Sequence, residues 1–98
     1  MSKVLTILNI GQKLFYQIFD TEKVEGGLEE RIIQNNLEIT IAEIIRDNRV
    51  SAEKEVGVIL INLEKEIKIS LKQQFKEANK FHIIKEFDTY REPIKGMI

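Results

Sequence analysis

From Lys3 to Phe19 the apolar positions Val4, Ile7, Leu8, Gly11, Leu14, Phe15, Ile18 and Phe19 recur at steps of three and four residues, and Thr6, Asn9, Lys13 and Gln17 occupy the narrow opposite side. A repeat near 3.6 residues marks an amphipathic helix, so a first helix is predicted over Lys3–Phe19. A polar run from Asp20 ends in Gly26 and Gly27, the one glycine pair in the chain, and breaks that helix. Leu28 to Asp47 opens with Glu29 and Glu30, whose charge suits a helix N-terminus, and aligns Ile33, Leu37, Ile41, Ile44 and Ile45. A second helix is predicted there. Asp47, Asn48 and Arg49 form a polar turn, with Ser51 as N-cap of a third helix starting near Ala52. Val56, Ile59, Leu60, Leu63, Ile67, Leu71, Gln74, Phe75 and Ala78 keep helical spacing for about seven turns. Phe81, Ile84 and Phe87 suit a short fourth helix, and Pro93 and Gly96 prevent much beyond it.

These stretches predict an all-α protein. Three long helices and a short C-terminal one form a bundle in which the second and third make a helical hairpin and the first packs across it. The rival is an α+β fold, because Leu37–Ile41, Val56–Leu63 and Ile67–Leu71 contain period-two alternation rich in β-branched residues. Against it stand the good helix formers between Glu64 and Glu77 and the lack of an Asn-Gly or Asp-Gly hairpin signal.

Both of the longer predicted helices are apolar on two sides. Val58, Ile61 and Ile69 lie off the main stripe of the third, and Leu28, Ile32 and Ile39 off that of the second. A small bundle cannot cover both sides of two helices, and uncovered apolar patches mark interaction surfaces. The expected interface is Val58, Ile61 and Ile69, and the expected assembly a homodimer or larger. The bland alternative is isoleucine scattered over the surface by codon bias. Gly57, read as helical, costs about 1 kcal/mol against alanine and admits the close approach of another backbone.

Composition narrows the chemistry. The 98 residues suffice for one domain, 1–98, and 43% hydrophobic with 32% charged residues belongs to a folded chain. Formal net charge is −1, so no global positive field gathers nucleic acid. The absence of cysteine removes disulfides and thiolate chemistry and fits a reducing compartment, so a cytoplasmic location is expected. No signal peptide is read at the N-terminus, and no apolar run approaches the roughly 18 residues of a membrane span. His82 is the only histidine and is expected to pack near a helix end. Ser51 and Ser70 have structural explanations as a cap and as part of a core-facing stripe. Glu29–Glu30 and Glu64–Glu66 diverge on a helix, so no catalytic pair forms. No enzyme activity, metal or cofactor is expected.

One charged constellation stands out: Lys65, Lys68, Lys72, Lys76 and Lys80 fall along one flank of the predicted third helix, with Lys54 near the same line. Such a stripe can follow a phosphate backbone. The alternative is a solvated flank balanced by Glu55, Glu66, Gln73 and Glu77, with few aromatics alongside to stack on bases. The expected function is therefore protein–protein interaction, as an adaptor, inhibitor or regulatory subunit that occupies a surface. A nucleic-acid-associated regulator is the runner-up.

Overall fold

The computed structural model describes residues 3–10, 13–20, 27, 29–32 and 37–88. They form a five-stranded mixed sheet with three helices. Strands β1 (Lys3–Ile10), β2 (Lys13–Asp20) and β3 (Glu29–Ile32) come first. Helices α1 (Leu37–Ile45) and α2 (Asn48–Ser51) follow, then β4 (Val56–Ile61), α3 (Lys65–Ala78) and β5 (Phe81–Phe87). The spatial order is β3-β2-β1-β4-β5. β2 runs antiparallel to both its neighbours, whereas β1, β4 and β5 are mutually parallel.

The all-α expectation is overturned by this sheet. Lys3–Phe19, expected as one helix, is an antiparallel pair in register from Lys3↔Asp20 to Ile10↔Lys13. The cause of the misreading is physical. β1 lies second from neither edge but at the centre of the sheet, and both its faces carry apolar side chains. Its run Val4, Leu5, Ile7, Leu8 therefore lacks the polar alternation of a half-buried strand and satisfies a helical template by default. The predicted second helix splits into β3 and the shorter α1, and residues 33–36 lie outside the described set. The predicted third helix splits into β4 and α3, and the expected fourth helix is β5. Of the three stretches favouring the α+β rival, only Val56–Ile61 is a strand; the other two are helical. Pro93 and Gly96, expected to stop the C-terminal helix, lie outside the described residues.

Alternation assigns the two faces of the sheet. Leu5 and Ile7 of β1, Leu14, Tyr16 and Ile18 of β2, Val56, Val58 and Leu60 of β4, and Phe81 of β5 share one face and one core. Ile41 and Ile44 of α1, Val50 of α2, and Ile67, Leu71 and Phe75 of α3 close over it. The steps of four from Ile67 to Phe75 put one stripe of α3 on the sheet. Asn79 ends that helix in the left-handed conformation at φ 54°, and its N–H donates to the Phe75 carbonyl at 3.0 Å. The Phe75 and Phe81 rings then stack with centroids 4.9 Å apart, which fixes how β5 leaves the helix. Lys80 secures the far side of that junction, its Nζ donating to the carbonyls of Val50, Ser51 and Glu53 at 2.9, 2.9 and 3.1 Å.

Two local expectations change with the fold. Ser51 is the last residue of α2 and not a cap; the N-cap of that helix is Asp47. Gly57 belongs to β4, where its missing side chain leaves the place taken by Ile84 of β5, whose Cδ1 would collide with a β-carbon there. Leu60→Ala, in the closed core, should lower unfolding free energy by about 2–5 kcal/mol. Ile69→Ala, on the exposed side of α3, should change it by less than about 0.5 kcal/mol. Urea denaturation of the two variants checks the assignment of inside and outside.

Candidate functional site

The second face of the sheet is the candidate site. Residues that alternate with the core set point to it: Val4, Leu8 and Ile10 of β1, Phe15 and Phe19 of β2, and Ile59 and Ile61 of β4. Ile84, seated over Gly57, and Phe87, opposite Ile61, extend it onto β5. None of these belongs to the core cluster, and among the described residues no helix or strand lies on this face. Leu8 shows the separation most clearly: only 6% exposed among its cross-strand neighbours Phe15 and Ile61, it still has no part in the core under the helices. Ile84 is 53% exposed and Ile10 42%. The rest are partly buried, apart from the buried Leu8.

Polar groups on the rim balance in sign. Lys13 and Glu30 pair at 3.2 Å on the β2–β3 side. Glu55 and His82 pair on the β4–β5 side, and Lys85 sets its ammonium over the Phe87 ring at 5.5 Å. His82 is thus an exposed strand residue rather than a packed helix-end one.

The residues expected to form one interface are divided among three places. Val58 is fully buried in the core, where no partner reaches it. Ile61 sits on the open face, and Ile69 is 55% exposed on α3. The lysine flank is divided as well. Lys68 lies 3.9 Å from Glu86 and 3.6 Å from Asp88, Lys72 lies 3.3 Å from Glu86, and Lys80 is occupied by the three carbonyls. Lys65 and Lys76 stay exposed. Ser70 faces away from the core and lines a shallow polar groove between α1 and α3 with Glu38, Gln73, Gln74 and Glu77.

A polar cluster unforeseen in the sequence lies on the helix side of β2. The buried Tyr16 hydroxyl has Glu29 Oε2 at 2.8 Å and Asp47 Oδ2 at 2.9 Å as acceptors for its proton, and accepts from Arg31 Nη2 at 2.9 Å. Arg49 grips Asp47 through Nε at 2.9 Å and Nη2 at 2.6 Å, and also donates to Glu29. Burial, then donation to the two carboxylates, raises the Tyr16 phenol well above its usual range. The Arg49 side chain holds Asp47 well below the usual carboxylate range, against the opposing effect of burial. Burial pushes Glu29 up, but hydrogen bonds from Tyr16 and Arg49 outweigh it and leave its carboxyl lowered. Two carboxylates and two guanidiniums therefore satisfy one another around a protonated phenol. That arrangement ties β3 and α2 to β2 and presents no poised acid, base or nucleophile.

Among the described residues, no group of three or more His, Cys, Asp or Glu side chains could hold a metal, and no helix is long and apolar enough to cross a membrane. No family model, curated protein or solved structure matches the chain.

The cluster carries a pH prediction. Asp47 and Glu29 have folded-state pKa values below their unfolded ones, so their contribution is complete above the unfolded values near pH 4 and is lost as pH falls below them. Asp47→Asn should cost about 1–3 kcal/mol at pH 7. Between pH 7 and pH 3 the variant should lose less stability than wild type in urea titrations. Parallel losses would show that the cluster does not couple folding to protonation.

Proposed function

We propose that the chain is a protein–protein interaction module that acts by docking the open face of its sheet against an apolar protein surface. The observation that carries this is the set Val4, Leu8, Phe15, Phe19, Ile59, Ile61, Ile84 and Phe87 on one face, crossed by the row Gln17, Thr6 and Lys85, outside the core and uncovered among the described residues. Four strands about 4.8 Å apart, each about six residues at about 3.3 Å, span about 400 Å² in projection. That matches the largest apolar patches of ordinary monomers, which are often functional. Adaptor, inhibitor and regulatory subunit are all roles of this kind, and a cytoplasmic setting agrees with a chain that has no cysteine. The nucleic-acid alternative draws less support, because three of the five lysines proposed for it are engaged within the fold.

Ile61, at the end of β4, lies on this face between Leu8 and Phe87, and Ile69 lies on a helix that covers the opposite one. A bait carrying Ile61→Lys should lose the proteins that the wild-type bait retains from the native host, other copies of the chain included. A bait carrying Ile69→Lys should keep them. Equal retention by both baits would contradict docking through the sheet.

A further inference from the structure

Resting on that reading, we infer that the occupant of the open face is a second copy of this chain, stacked sheet to sheet about a two-fold axis that runs along the strands. Three features support self-association. Two such faces closing on each other remove on the order of 1,000 Å² of accessible surface, which reaches the threshold for a specific interface and has the size of a weak, concentration-dependent dimer rather than an obligate one. The rim carries Lys13 and Lys85 against Glu30 and Glu55, so identical copies meet without net repulsion, and no one-sided field selects a polyanion or a strongly charged partner. Two sheets of the same twist also stack naturally, with strands within about 30° of each other and inner side chains interdigitating in a layer about 10 Å thick.

The rim selects the axis. Gln17, Thr6, Ile59 and Lys85 form one row across β2, β1, β4 and β5 on this face. A two-fold along the strands sets β5 of one copy over β2 of the other. Lys85 then meets the Gln17 amide, and Ile84 and Phe87 meet Phe15 and Phe19. A two-fold across the strands would stack Lys85 on Lys85, in a layer from which water is largely removed. The same operation applies to both copies, so each contact occurs twice and the assembly closes as a dimer.

Sedimentation velocity and light scattering on the intact chain, between about 1 and about 200 µM, test this at the concentrations where an interface of low-end area equilibrates. Wild type should pass from monomer to a mass twice as large. Ile84→Lys alters a half-exposed residue outside the core cluster. It should keep the wild-type circular dichroism spectrum and raise the dissociation constant at least tenfold. Ile69→Lys should leave the equilibrium unchanged. Gln17→Lys, which sets an ammonium against the partner's Lys85, should raise the dissociation constant, and adding Lys85→Glu to it should restore dimer.

Unchanged association in Ile84→Lys would overturn the inference, as would a dimer disrupted by Ile69→Lys. Failure of Lys85→Glu to restore the Gln17→Lys dimer would overturn the proposed axis. A wild type that is monomeric throughout would also overturn the inference, and fluorescence of a hydrophobic dye then separates the two proposals. Dye bound by the monomer and lost in Ile84→Lys leaves the face open to a different protein. Absence of dye binding removes docking through this face as well.

Discussion

A sheet has two faces, and this chain makes both of them apolar while supplying helices for one. β1 feels that constraint most, because it pairs on both sides and contributes Leu5 and Ile7 to the closed core and Val4 and Leu8 to the open face. Leu5, Ile7, Val58 and Leu60 are removed from water completely by α1, α2 and α3. Each such side chain contributes about 1.5–3 kcal/mol before chain entropy is set against it, so the closed face holds the fold. Side chains of the same kind on the other face, among them Val4, Phe15, Ile59 and Ile61, are only partly buried and take no part in that core.

The polar parts of the molecule serve the closed side. Tyr16 would be an expensive residue to bury in the sheet without partners for its hydroxyl, and Arg31, Glu29 and Asp47 supply them. Because Arg49 links Glu29 on β3 to Asp47 at the start of α2, the short edge strand is held by charge as much as by its four residues of pairing. Lys80 works similarly at the opposite end, satisfying three carbonyls where α2 gives way to β4. Neither device touches the open face, where the row Gln17, Thr6, Ile59 and Lys85 runs between the apolar pairs Val4–Phe19 and Leu8–Phe15.

Parts of this were legible in the residues and parts were not. The stripe Ile67, Leu71, Phe75 identifies α3 correctly, since one-sided burial imposes helical spacing on it. The excess of apolar residues beyond one core was legible too, although its location was not. β1 and β2 are apolar on both faces, and a strand of that kind loses the alternation that would identify it. Val58 and Ile61 therefore looked like neighbours on a second helical side, whereas a period of two sends them to opposite faces. The Tyr16 cluster joins residues spread from 16 to 49 and leaves only one local trace, the Asp47–Arg49 pair in a polar turn. His82 and Gly57 were misread for the same reason: their roles follow from the partner strand, which adjacent sequence does not reveal.

One face of the sheet is closed by the protein's own helices, and among the described residues no helix or strand covers the other. Methyl NMR with a soluble paramagnetic agent measures this residue by residue. In dilute samples the methyls of Ile59, Ile61 and Ile84 should relax strongly, while those of Ile7, Ile18 and Ile41 stay protected; on concentration the first group should become protected as well. Equal protection of both groups in a dilute, monomeric sample would contradict the account.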